Sequence, residues 1–215
     1  MTSLLLCAVL AAANADAPAN AEVTAAPEPR LESNVVEVGT GIFGAAYTAT
    51  GARMGDTQWA VSARGRYLFG GLTGEAEVLA LFPLTGNGAA TSVALVPRIG
   101  WTAAHWTVVV GANVQLAPSA VPTASTVPSL RAHVRLTDGI GLSAGVFDYY
   151  GQVPFHLSAE LGDYSVGWAA PLGLVASARW HLPAHLTLRV LGFVYRLYNQ
   201  EAGMLTVGLS WGGAS

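Results

Sequence analysis

The stretch "PFHLSAELGDYS", residues 154–165, places His156, Ser158 and Glu160 at alternate positions. A histidine beside a serine can take its hydroxyl proton and so create a nucleophile, with a carboxylate to orient the ring. These three are the candidate catalytic residues, set against the plainer reading of ordinary polar groups in a loop. A second set is ionic. In "RGRYLFGGLTGEAE", Arg64, Arg66, Glu75 and Glu77 lie at mirrored distances from the Gly70-Gly71 pair. Further basic groups, Arg98, Arg131, His133, Arg135, Arg179 and Arg189, recur in segments whose alternate residues are apolar. Their chemistry is ion pairing, or attraction of anions.

Composition says what must hold such groups. Charged residues make up 11% of the chain, against about 25% in a typical soluble domain. The formal net charge of −3 offers no basic excess for nucleic acid. All ten Lys/Arg positions are arginine. The run "LLLCAVLAAA", residues 4–13, has the length of a signal-peptide core and is too short to span a bilayer as a helix. Small residues follow, and cleavage after Ala15 is expected, leaving a Pro/Ala/Glu-rich leader over 16–34. The single cysteine, Cys7, lies in the signal segment, so neither disulfide nor thiol chemistry is expected of the mature chain. The uncharged stretch from Thr102 to Leu130 is interrupted by Pro118, Pro122 and Pro128. An exported, apolar chain without a spanning helix points to a β-barrel, the other way to satisfy the backbone in lipid.

Period-2 patterning from Val35 onward supports this. In "QWAVSARGRYLF", Trp59, Val61, Ala63, Tyr67 and Phe69 alternate with Gln58, Ser62, Arg64 and Arg66. In "LRAHVRL", Leu130, Ala132, Val134 and Leu136 alternate with Arg131, His133 and Arg135. "HWTVVVGANVQL", "LVASARWHL" and "LTVGLSW" repeat the pattern. Short connections at 70–71, 104–105, 137–139 and 183–185 alternate with longer ones, as turns and loops do in such barrels. The segments give an all-β, antiparallel, up-and-down transmembrane barrel over residues 35–212. About ten strands are expected, near 35–48, 57–69, 72–83, 91–103, 106–116, 129–136, 140–149, 171–182, 186–198 and 204–212, with eight or twelve left open. Residues 149–170 then form the longest loop. Trp59, Tyr67, Phe69, Trp101, Trp106, Trp180 and Trp211 fall near strand ends on the outer face, where interfacial aromatic girdles sit.

This pattern, closing on "LTVGLSW", resembles the small Gram-negative outer-membrane barrels of the OmpA and OmpW type. The resemblance implies insertion by the barrel-assembly machinery, contact with outer-membrane lipids and lipopolysaccharide, and a porin-like cell-envelope location. The His156-x-Ser158 spacing separately resembles that of outer-membrane lipid A deacylases, although Ala159 stands where that family has Asn.

Register sharpens the expectation, since one residue of slip turns a strand inside out. A two-residue Gly70-Gly71 turn sets Phe69 opposite Leu72, Arg66 opposite Glu75 and Arg64 opposite Glu77. A three-residue turn at Thr137-Asp138-Gly139, with Gly139 left-handed, sets Leu136 opposite Ile140, Arg135 opposite Gly141, His133 opposite Ser143 and Arg131 opposite Gly145. The lumen then holds the pairs Arg64–Glu77 and Arg66–Glu75, Glu37, and a basic lining of Arg98, Arg131, His133, Arg135, Arg179 and Arg189. Two roles follow: a barrel held by a polar plug, as a scaffold or part of an envelope assembly, or a narrow anion-favouring channel. The alternative is a lipid-modifying hydrolase using His156 and Ser158. Neither cofactor nor metal is expected, and no nucleic-acid partner.

Overall fold

The computed structural model describes residues 34–49, 52–84, 90–117 and 123–212. The expected signal segment, and the leader apart from Asn34, lie outside these residues. Twelve strands run through the described residues: β1 (Val35–Ala49), β2 (Ala52–Phe69), β3 (Leu72–Pro83), β4 (Ser92–Thr102), β5 (Trp106–Ala117), β6 (Thr123–Thr137), β7 (Ile140–Asp148), β8 (Val153–Leu161), β9 (Tyr164–Ala169), β10 (Leu172–Leu182), β11 (Leu186–Leu197) and β12 (Gln200–Gly212). Each pairs antiparallel with its neighbours in sequence, and β1 pairs with β12 to close the barrel. No sheet edge is left over, as a strand structure in lipid requires.

The count of ten is corrected to twelve. Residues 149–170, expected as a loop, contain the β8–β9 hairpin. Its second strand is only 6 residues long, too short for period-2 patterning to mark a strand of about ten residues. Other strands are longer than expected: β2 begins at Ala52, β6 at Thr123 and β12 at Gln200. A strand that rises past both lipid and lumen has the same environment on its two faces, so nothing forces its residues to alternate.

The register at Gly70-Gly71 places Arg66 opposite Glu75 and Arg64 opposite Glu77. Both glycines have positive φ, 56° and 92°, the left-handed geometry of a tight hairpin turn. At the β6–β7 turn, Arg135, His133 and Arg131 face Gly141, Ser143 and Gly145 as expected, but Thr137 rather than Leu136 meets Ile140. Leu136 is a bulge, the turn is Asp138-Gly139, and Gly139 is not left-handed.

The outer face is a belt of exposed apolar side chains, including Val38, Ile42, Val61, Ile99, Val110, Leu142, Leu157 and Val207. Tyr67, Phe69, Trp101, Trp106 and Trp211 stand out from the wall near strand ends; Trp59 is exposed but, because β2 begins at Ala52, lies mid-strand, and Trp180 is half-buried. No helix among the described residues is long and apolar enough to cross a membrane. Apolar outside, charged inside and closed, the chain is an outer-membrane β-barrel.

The lumen is divided in two. Toward the short turns and the termini it is polar: Glu37, Ser62, Arg64, Arg66, Glu75, Glu77, Arg98, Ser143, His156 and Ser158 point inward. Toward the other end it is apolar: Phe43, Ala60, Leu79, Leu81, Ala94, Val175, Leu191, Phe193 and Met204 pack into one buried cluster. A single strand shows the change, since β3 turns Glu75 and Glu77 and then Leu79 and Leu81 to the same face.

The lipid belt makes a direct demand. Val110 is 51% exposed midway along β5. Val110→Arg is expected to cost about 2–4 kcal/mol of barrel stability in bilayers, measured by urea unfolding in phosphatidylcholine vesicles. Asp138→Arg, in a turn outside the lipid, is expected to cost little. Equal costs would contradict the assignment of this face to lipid.

Candidate functional site

The polar half is organised around Arg131. From β6 its Nη1 donates to Glu75 Oε2 at 2.9 Å, its Nη2 to Glu77 Oε1 at 2.5 Å, and its Nε to Asp148 Oδ2 at 2.9 Å. Nη2 also donates to Asp148 Oδ1. Three carboxylates from β3 and β7 thus share one guanidinium. Arg98 of β4 adds a second centre: its Nη2 lies 3.1 Å from Asp148 Oδ1, and its Nη1 lies 3.2 Å from Glu77 Oε2. The expected cross-strand contacts are present but longer, with Arg64 Nε 3.7 Å from Glu77 and Arg66 Nε 3.5 Å from Glu75. Arg66 also donates to the Thr102 and Thr107 hydroxyls at 3.2 and 3.1 Å. Glu37 meets Arg189 at 3.4 Å.

Other expected lumen residues are spread along the axis. His133 is 3.3 Å from Glu160. Arg135 and Arg179 reach the rim, where they donate to the carbonyls of Ala104 and Gly162. A cavity of about 170 Å³ opens at the short-turn end, which in outer-membrane barrels faces the periplasm. Arg64, Arg66, Arg131 and Arg189 line it, together with Ser143, Asp148 and His156.

Asp148 is the central residue that sequence reading did not single out. Strict alternation in β7 turns Leu142 and Val146 outward and would send Asp148 out with them. Phe147 breaks the phase: its φ of 44° is left-handed, and Asp148 turns inward and is buried. The following turn, Tyr149 to Gln152, folds into the barrel rather than away from it. Four contacts hold it there. Glu77 Oε2 accepts from the Tyr150 backbone N–H at 3.0 Å, and the Tyr150 hydroxyl donates to Glu37 Oε1 at 3.2 Å. Asn113 Nδ2 donates to the Gly151 carbonyl at 2.9 Å. The rings of Tyr149 and Tyr150 join the apolar cluster. The only sequence signal was "DYYGQ" itself, a turn-like stretch with an acid where the pattern asks for an apolar residue.

His156 and Ser158 do not lie in a loop. They belong to β8 and point into the lumen, 1% and 2% exposed, so neither reaches a lipid in the bilayer. His156 Nε2 is 2.9 Å from Asp148 Oδ2, and its Nδ1 is 3.4 Å from Ser158 Oγ. Ser158 Oγ is 2.7 Å from Ser143 Oγ. The acid of this array is Asp148, whereas Glu160 turns to His133. Among the described residues, no group of three or more His, Cys, Asp or Glu could hold a metal ion.

No protein-family model matches the chain, and no curated protein matches it in sequence. Among solved structures it is similar to Neisserial surface protein A, 10% identical over 82% of this chain and 96% of that one, with a TM-score of 0.35. It is also similar to Ail, the attachment invasion locus protein of Yersinia pestis, 7% identical over 83% and 98%, with a TM-score of 0.33. The Pseudomonas putida toluene transporter TodX is 9% identical over 86% and 89%, with a TM-score of 0.36.

The geometry ranks the ion pairs. Removing one partner of a buried pair typically costs about 3–5 kcal/mol, and Arg131→Met is expected to reach that range because three carboxylates lose a partner together. A double-mutant cycle between Arg131→Met and Glu75→Gln should give coupling near the top of the usual range of about 0.5–3 kcal/mol. The Arg66→Met and Glu75→Gln cycle should fall near its bottom. Thermal unfolding followed by heat-modifiable gel mobility reads both, and the reverse order would place the centre of the network on the β2–β3 hairpin.

Proposed function

We propose that the protein is a closed outer-membrane barrel, a scaffold sealed across its lumen rather than a passage for anions. One observation carries this reading: the Tyr149–Gln152 turn lies inside the barrel, latched by Asp148 below and packed into the apolar cluster above. An anion attracted to the arginines of the vestibule would next meet Leu79, Phe193 and Met204. Moving an unpaired charge into such surroundings is prohibitive. The arginines are also engaged with carboxylates from their own barrel, so the basic lining works as the positive half of a plug. In this reading the outer belt meets outer-membrane lipids and lipopolysaccharide, and β12, ending in "LTVGLSWG", is the segment presented to the assembly machinery. The wall invites envelope proteins as partners more than the lumen invites solutes.

Planar bilayers test this. The wild-type barrel is expected to give no stable conductance steps. A variant in which Asn-Gly replaces Tyr149–Gln152, a two-residue turn joining Asp148 to Val153, is expected to conduct. Anion-selective steps from the wild type that fall when Arg131 is neutralised would establish the channel instead.

A further inference from the structure

We propose that the lumen carries a serine nucleophile, Ser143, at the head of a proton relay through Ser158 and His156 to Asp148, and that it cleaves small esters entering from the vestibule. The relay is continuous: Ser143 Oγ to Ser158 Oγ is 2.7 Å, Ser158 Oγ to His156 Nδ1 is 3.4 Å, and His156 Nε2 to Asp148 Oδ2 is 2.9 Å. Asp148 is held as a carboxylate by Arg131 and Arg98. It therefore accepts from the Nε2–H of His156, which fixes the tautomer and leaves Nδ1 free to accept from Ser158. The logic is that of serine hydrolases, in which a carboxylate orients the imidazole and the imidazole takes the hydroxyl proton. One serine is interposed.

The surroundings are shaped for these contacts. Ser143 and Ser158 are directly opposed across β7 and β8, and Gly145 opposes His156. A Cβ at Gly145 would come within 2.5 Å of His156 Nε2 and 2.6 Å of Asp148 Oδ2, so only glycine admits the acid–base contact. The Tyr149 ring lies 4.7 Å from the imidazole and limits its rotation. Most importantly, the relay does not end in the core. Ser143 lines the 170 Å³ vestibule, together with Arg64, Arg131 and Arg189.

The reaction balances without a cofactor. Ser143 Oγ attacks the ester carbonyl, its proton passes to Ser158, and the Ser158 proton passes to His156 Nδ1. Collapse of the intermediate breaks the bond to the alcohol oxygen, and the alcohol leaves with the proton returned along the relay. Water, deprotonated by the same relay, then releases the acid from Ser143. The vestibule's volume selects short acyl esters, and its lining of both arginines and carboxylates suits a polar alcohol.

The test uses the folded, heat-modifiable barrel in detergent. With p-nitrophenyl acetate, a burst of one p-nitrophenolate per barrel is expected. With diisopropyl fluorophosphate, the Ser143 oxygen displaces fluoride from phosphorus, and peptide mass spectrometry should locate one diisopropylphosphoryl group on Ser143. Ser143→Ala should abolish labelling. Ser158→Ala and His156→Gln, each checked for heat-modifiable mobility, should slow it by about 100-fold or more, the lower end of what a positioned base contributes. Absence of both burst and adduct in the wild type overturns the proposal, and this readout needs no variant to fold. An adduct on another residue, or equal labelling of a folded His156→Gln barrel, overturns it too.

Discussion

The shared guanidinium of Arg131 is the interaction on which the rest of the lumen depends. It joins β6 to β3 through Glu75 and Glu77 and to β7 through Asp148, across sequence separations of 56, 54 and 17 residues. A barrel wall is held by its ladders, but ladders alone say nothing about what fills the middle. Asp148 does. Once its carboxylate is committed to Arg131 and Arg98, the chain after it has nowhere to go but inward. Tyr149 and Tyr150 then enter the apolar cluster as a consequence of an ion pair formed below them.

The partition of the lumen follows from where water can reach. Charged groups occupy the half that opens through the vestibule at the short-turn end, where Arg64, Arg131 and Arg189 border the cavity and the buried Arg98, Glu75, Glu77 and Asp148 compensate one another. Leucine, phenylalanine and methionine fill the half beyond the infolded turn. Buried ion pairs are weak stabilisers relative to apolar packing. Their retention here is explained by position, since the network fixes the turn that lets the other half pack.

The barrel itself was legible because lipid on one face and polar lumen on the other impose alternation. The mirrored charges around Gly70-Gly71 gave the β2–β3 register, because Arg64, Arg66, Glu75 and Glu77 all belong to the polar half. Where the lumen turns apolar, that signal disappears. The run "VLALF", Val78–Phe82, is apolar on both faces, so it marks a strand without saying which side is inside. The β8–β9 hairpin was missed because β9 is only 6 residues long and the inward residues of β8, His156 and Ser158, looked like loop chemistry. Asp148 was missed for a different reason. No count of alternate residues reports a phase change at Phe147, a conformational event set by tertiary contacts rather than by the side chain's own preference.

That phase change also ties the two proposals together, a shut barrel and a serine open to the vestibule. With Asp148 turned outward, His156 would lose its carboxylate, and the turn after Asp148 would leave the lumen. Turned inward, the same residue carries the following turn into the lumen and meets His156 through Oδ2. The seal lies on the apolar side of Asp148, while Ser143 lies on the vestibule side. Closure therefore does not isolate the serine. It gives the vestibule a floor, and on the proposed reading that floor is what would keep a small ester beside Ser143.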